Sequence, residues 1–577
     1  MTVVSLSLPA GVVRPTSPLQ AAGRYYDANL IRWRQGKLLP VGGWERITSS
    51  ALASPVRNIY TWTTNSDLAL AALGCDAKLY VLDGSSYTDI TPANFIPAET
   101  GDVGGYGAYN YNAELYGDDT DATYPRPPSL LDRATFSWTI AGWGEDILAV
   151  ASSDGRLLHW EYGETEAHPV GSAEIDEAER VSNVVTVTTV FHHDFQVGDS
   201  VVITGNSEST FNGTWTVASV PTSTTFTFAD SGTDQTGTGG TATHGTVPTS
   251  NTGVIVTPER HAVLLGCGGE PRRVAWSDVE DYSDWDFADA TTQAGFFDLE
   301  TDSPIQMAVN VREGTLIFTE TEAWLMRYVG LPYIYGFEKI GMGCGLMAPM
   351  SFATTAGRCV WMGRESFWIY EGGAVRPLDC DVASFVFEDG DATASRLYAH
   401  GAENNVFPEV WFWFPSQGSS VPDSYVIWNY AENWWSLGSL TRTAATGAGA
   451  FPFPMTADDT NNVYYQEYGW TNAGTSLVGS RYAESGSLNS AGGQVITSVR
   501  QAMTNSGSGY DSTKLTFYGS FTPDGAESSF GPYTPRSDGY TDVRFTARDF
   551  RVRFEAAEDA EWSVGGLRLD VVQRGGR

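Results

Sequence analysis

Residues Thr315–Gly373 constrain the fold most, because they repeat one pattern twice. An apolar strand (Leu316–Phe318, then Val360–Met362) meets a short charged turn (Thr319–Glu322, then Gly363–Ser366). An aromatic return strand follows (Trp324–Tyr328, then Phe367–Tyr370) and stops at Gly330 or Gly372. Another apolar stretch precedes each hairpin, Ile305–Val311 and Met350–Thr354. A unit of roughly forty to fifty residues built this way has the period of a four-stranded propeller blade. The same hairpin recurs at Leu68–Gly84, Ile147–Gly163, Ala262–Asp278, Val410–Trp435 and Pro452–Gly469. One such sheet cannot bury both its faces alone, so copies must stack on one another. An all-β propeller of six or seven blades is the economical solution. A stacked solenoid is the alternative, but its repeats run shorter and more regular.

The rest of the chain divides around those repeats. Residues 1–50 form an N-terminal arm with its own hairpin, locally basic through Arg24, Arg32, Arg34 and Lys37. Residues 51–172 carry the first blades and 251–472 the later ones. Between them, residues 173–250 alternate Thr, Val and Phe at period two, which reads as an inserted small β module of about five strands. Its Thr/Gly-rich tail, Gly232–Gly245, reads as a flexible exit. Residues 473–577 form a C-terminal β-sandwich-like domain whose strands alternate apolar residues with Arg and Asp, as half-buried strands do. The loop GYGAYNYNAELYG has too few aliphatic residues to build a core. Long loops of that kind are usually functional or disordered, so Tyr106, Tyr109, Tyr111 and Tyr116 are candidates for a gate or seam.

Charge narrows the function. With 34 basic residues against 69 acidic ones, the net charge is −35, which disfavours phosphate-backbone binding through Lys and Arg. The acids cluster: nine carboxylates and no Lys or Arg lie between Val274 and Val311. Solubility accounts for such a surface. So does a surface that must not hold a polyanion; the candidate channel-lining acids are then Asp118, Asp119, Asp121, Asp278, Glu280, Asp281, Asp284 and Asp286. Six arginines from Arg544 to Arg574 make the C-terminal end more basic. A solvated sheet face explains them, and so does a docking surface at Arg544, Arg548, Arg551 and Arg553.

Chemistry finds little purchase. Five cysteines form no C-x-x-C pair and read as buried thiols of a protein folded in a reducing cytosol. His192 and His193 are adjacent, so on a strand they face opposite ways and cannot readily share an ion. The run SDVEDYSDWDF lacks the glycine and terminal glutamate of an EF-hand loop. There is no G-x-S-x-G elbow and no Walker-type loop. No apolar run approaches the length of a membrane span, and the first residues lack the basic and apolar regions of a signal peptide. No catalytic residue, cofactor or metal is expected, and the chain reads as a non-enzyme.

Four stretches carry a resemblance: LQAAGRYYDANLIRWRQGKLLPVGGWERI, GYGAYNYNAELYG, RRVAWSDVEDYSDWDF and VRFTARDFRVRFE with LRLDVV. The chain resembles the tail nozzle (tail tubular protein B) family of short-tailed bacteriophages, and the inserted module is similar to small β domains scattered among phage tail proteins. The resemblance implies a structural virion protein made in the host bacterial cytoplasm. It would form a homohexameric ring at the distal end of the tail, with genome DNA passing through without specific binding. Implied partners are copies of itself, the tail adaptor on the portal side, and tail fibre or needle proteins. The rival class is a receptor-binding or glycan-cleaving propeller at the tail tip. A cellular propeller scaffold is a third.

Overall fold

The structure, a computed structural model, describes residues 2–15, 17–98, 136–503, 510–522 and 525–573. Among them are seven four-stranded antiparallel sheets, six of them simple meanders in chain order. Blades 1 to 4 span residues 56–89, 138–169, 253–298 and 305–342, and blades 5 and 6 span 352–378 and 400–439. Blade 7 takes three strands from residues 444–466 and its fourth from Trp44–Arg46, just before blade 1 in the chain. A last sheet completed by a strand that precedes the first sheet in the chain is a strand order characteristic of β-propellers. The seven hairpins read from the sequence are the second and third strands of these seven sheets.

The chain divides into two compact units, residues 56–343 and residues 1–55 with 344–577. In the first, the packing follows from strand alternation. In blade 2, Ile147, Ala149 and Ala151 join a core with Leu70, Ala72 and Val81 of blade 1. The intervening Leu148 and Val150 join Ala262 and Leu264 of blade 3. Val263 and Leu265 in turn face Ile317 and Trp324 of blade 4. Inner strands buried on both faces are therefore apolar throughout, which is why they stand out in the sequence.

Blades also approach closely. A Cβ on Gly74 would lie 2.4 Å from the Trp138 ring of blade 2, whose Nε1 donates to the Cys75 carbonyl at 2.8 Å. Gly74→Ala is expected to lower stability by about 1–3 kcal/mol through overpacking. An unchanged urea midpoint refutes that close contact.

The inserted module is larger than the sequence suggested. It has eight strands between Ser172 and His244 and its own core, including Val185, Val187, Ile203, Phe226 and Phe228. Its supposed flexible exit is ordered: Gln235–Thr238 and Thr241–His244 both pair with Ser172–Val181, and Ala242 is buried. Gly239 and Gly240, at φ 69° and 94°, turn the chain between them. Thr-rich alternation there marks short strands rather than a linker.

In the second unit the N-terminal arm is not a separate piece. Strands Thr2–Leu6 and Lys37–Pro40 pair with Val564–Gln573, and Tyr25–Asn29 pairs with Tyr482–Ser485. Ten strands from both ends of the chain thus form one hydrogen-bonded network. Arg32 lies in the core rather than on a basic surface. Gly42 and Gly43 are sites of close approach: a Cβ on Gly43 would lie 2.4 Å from the Thr471 carbonyl. Cys75, Cys267, Cys344 and Cys359 are buried free thiols, and Cys380 is partly exposed.

Candidate functional site

The densest collection of ionisable side chains lies where blade 2 meets the inserted module. His159 sits on the third strand of blade 2 (Leu158–Trp160) and His168 on the fourth (His168–Pro169). They are direct cross-strand partners, so their side chains share one face of the sheet. Both are almost wholly buried, at 3% and 2% exposed. Nδ1 of His159 lies 3.4 Å from Nε2 of His168. The inserted module brings Asp194, whose φ of 55° is a left-handed conformation that Asp tolerates better than most residues. Its Oδ2 lies 3.1 Å from His168 Nε2. The acidic loop of blade 3 supplies Tyr282, which donates to Asp194 Oδ1 at 2.9 Å and stacks on the His159 ring at 4.6 Å.

A rim of three more groups borders this cluster. Glu164 Oε2 is 3.4 Å from His168 Nδ1, and Glu161 Oε2 is 3.2 Å from His192 Nδ1. Burial works against a charge on His168, but hydrogen bonds and charge from Asp194 and Glu164 outweigh it and hold the imidazole up at about 9. Burial pushes the Asp194 carboxyl up, while His168 and Tyr282 bring it down to about 2. Glu164 is held well below the usual carboxylate range: burial opposes its charge, and His168 and His192 prevail. Each triad, His159–His168–Asp194 and Glu161–Glu164–His192, converges closely enough for its ligand atoms to surround one ion.

His192 and His193 lie past the end of the strand Val184–Thr189 rather than on a strand, and they still point apart: His192 toward Glu161, His193 against Phe195 and Phe226 in the module core. What sequence reasoning missed is that Asp194 pairs with histidines of the blade rather than with its own neighbours. A signal was present, since four of the seven histidines fall between His159 and His193.

The acidic run of blade 3 is a built loop. Asp278 accepts from the Gln293 amide at 2.7 Å, and Asp281 from the Ser283 amide and hydroxyl and from Gln196 of the module. Asp284 and Asp286 accept from the amides of residues 286 and 288, while Glu280 is exposed. Burial raises the Asp284 carboxyl. Trp285 is the buried anchor, its Nε1 donating to the Tyr282 carbonyl at 2.7 Å. Asp118, Asp119, Asp121, Tyr106, Tyr109, Tyr111 and Tyr116 lie outside the described residues.

The four arginines on Tyr540–Ala556 split into two pairs. Arg544 and Arg548 are exposed. The buried parity changes at Phe550, and Arg551 and Arg553 are engaged within the sheet. Arg551 pairs with Glu484 and Glu527; Arg553 pairs with Glu484 and Glu555 and lies over the Tyr482 ring. No described helix is long and apolar enough to cross a membrane.

The strand order defines a β-propeller, with seven four-stranded sheets among the described residues and an inserted β module. No protein-family model matches the chain, and no curated protein matches it. Among solved structures it is similar to the Cps50 (Swd1) β-propeller domain of Myceliophteria thermophila, at 8% identity and TM-score 0.34, over 73% of this chain and 99% of that one. It is also similar to the Pan2 WD40 domain of Neurospora crassa, at 8% identity and TM-score 0.28, over 57% and 87%. A third likeness is to the phage phi92 endosialidase, at 11% identity and TM-score 0.25, over 90% and 69%. Scores of this size add nothing to what the strand order shows.

Proposed function

We propose that this chain is a structural protein of a phage tail. It assembles into a sixfold ring at the distal tail end, through which genome DNA passes during ejection. One observation carries the reading. The leader that resembles tail nozzle proteins is the segment on which the second unit depends. It supplies Trp44–Arg46 to blade 7, Lys37–Pro40 and Tyr25–Asn29 to the C-terminal sheet, and Arg32 to the core. The resemblance therefore falls on residues that determine the architecture.

The charge of −35 per chain supports the same reading. A lumen-facing Lys or Arg is a phosphate contact that must break at each step of passage, whereas carboxylates make none. In this proposal the acidic loops border the channel, Arg544 and Arg548 face a neighbouring acidic protein, and the Gly/Tyr loop seals the passage. Light scattering on the purified protein is expected to give a mass six times 62.5 kDa, with no retention of duplex DNA at physiological salt. A monomer that cleaves or tightly holds host polysaccharide overturns the proposal in favour of the tail-tip rival.

A further inference from the structure

We propose that His159, His168 and Asp194 form a metal site for a divalent transition ion, zinc by its donor chemistry, which fastens the inserted module to blade 2. The distances suit it. Ligands bound tetrahedrally at about 2.0–2.1 Å stand about 3.3 Å from one another. His159 Nδ1 and His168 Nε2 are 3.4 Å apart, and His168 Nε2 and Asp194 Oδ2 are 3.1 Å apart. The Tyr282 hydroxyl lies beside these atoms, 3.3 Å from His159 Nδ1, and donates at 2.9 Å to Asp194 Oδ1, the carboxylate oxygen that is not turned toward His168.

A second observation is independent of those edges. The far nitrogen of each histidine faces a carboxylate: His159 Nε2 lies 3.7 Å from Asp146, and His168 Nδ1 lies 3.4 Å from Glu164. Metal-bound histidines direct the far N–H at a carboxylate, backbone carbonyl or water; here Glu164 stands close to His168 Nδ1, while Asp146 is still beyond hydrogen-bonding distance of His159 Nε2. An ion bound there takes the place of the proton that His168 otherwise shares with Asp194.

Two nitrogens and a carboxylate favour zinc, cobalt or nickel over calcium or magnesium, which take oxygen ligands. Because the histidines belong to the blade and Asp194 to the module, an ion there cross-links two separately cored elements. Metal binding becomes folding free energy in such a case. The inference stands whatever assembly the protein forms.

The test uses untagged full-length protein, incubated with zinc, dialysed, and measured for metal content; a parallel sample takes cobalt(II). The proposal expects about one zinc per chain and the intense visible bands of a tetrahedral cobalt site. His168→Gln is expected to lose at least about tenfold in zinc affinity, and His244→Gln, outside the cluster, to keep it. Zinc that dialyses away from the wild type, or a weak octahedral cobalt spectrum, overturns it. So does zinc that survives His168→Gln and is lost in His192→Gln, which assigns the ion to the rim. Should His168→Gln not fold, the wild-type cobalt spectrum decides alone.

Discussion

Replacing Arg32 with methionine is expected to destabilise the unit of residues 1–55 and 344–577 by about 3–5 kcal/mol. Arg32 is 1% exposed, with its Nε 2.9 Å from Glu409 Oε1 and its Nη1 2.9 Å from Glu467 Oε2. The guanidinium carbon lies 3.6 Å from the centre of the Phe407 ring. Glu467 also accepts from the Gly42 amide and from Asn404, and Glu409 from the Trp411 indole. Methionine keeps the length and the apolar stem but leaves two core carboxylates without their bidentate partner; Arg481, whose charge also reaches Glu467, is already paired with Asp559. The loss is a large share of the 5–15 kcal/mol that holds a typical domain together. Arg32→Lys retains the charge without the bidentate fork and should fall between. The companion Arg32→Met/Glu409→Gln/Glu467→Gln, which removes all three charges, should recover much of the loss. A single Met variant melting within about 1 °C of the wild type ends this account.

The position of Arg32 shows where sequence reasoning reached and where it stopped. The second and third strands of each blade were legible because they are buried on both faces. Glu409–Phe414 and Ser424–Asn429 contain no exposed residue and read as aromatic runs. Outer strands such as Ala374–Leu378 are short and half solvated, and carry no such mark. The closing strand Trp44–Arg46 has three residues, and its partner lies more than 400 positions away. Local pattern cannot reveal that pairing. The leader looked like a basic arm because its arginines were counted as charge. Where a partner carboxylate arrives from a distant blade, an arginine is a core residue instead. The histidine cluster was hidden for the same reason: His159 and His168 oppose each other across one hairpin, but Asp194 and Tyr282 reach them from loops of the module and of blade 3. The acidic run of blade 3 was visible as composition, yet composition does not distinguish a solvated fringe from a loop whose Asp side chains accept backbone amides. Those bonds, at Asp278, Asp284 and Asp286, are the turn chemistry by which Asp competes with regular structure.

Raising the pH from about 4.5 to above 7 is expected to remove about 3 kcal/mol of stability from the same unit through one group, Glu409. Its carboxyl is pushed up to about 7 from an ordinary value of 4.5: burial raises it most, Arg32 pulls it down, and the neighbouring Glu467 raises it again. One guanidinium between two buried carboxylates satisfies only one of them as an anion. The proton therefore binds more tightly in the folded state than in the unfolded chain. For a carboxyl raised in this way, the stabilisation is fully present below 4.5 and is lost as the pH climbs through about 7. The direction is opposite to that of an acid held low by a salt bridge, whose contribution disappears on acidification. Glu409→Gln keeps an acceptor for the Trp411 indole and cannot ionise. Self-repulsion from a net charge of −35 also grows with pH, but nearly equally in both proteins, so their difference isolates the group. Urea unfolding of the two at pH 5 and pH 8 should show the glutamine variant gaining on the wild type as the pH rises. A difference that stays level across that interval means that Glu409 titrates as an ordinary carboxyl. In that case both carboxylates stay ionised beside Arg32, and the one net negative charge on the triad is held by the donors around it, the Gly42 amide, Asn404 and the Trp411 indole.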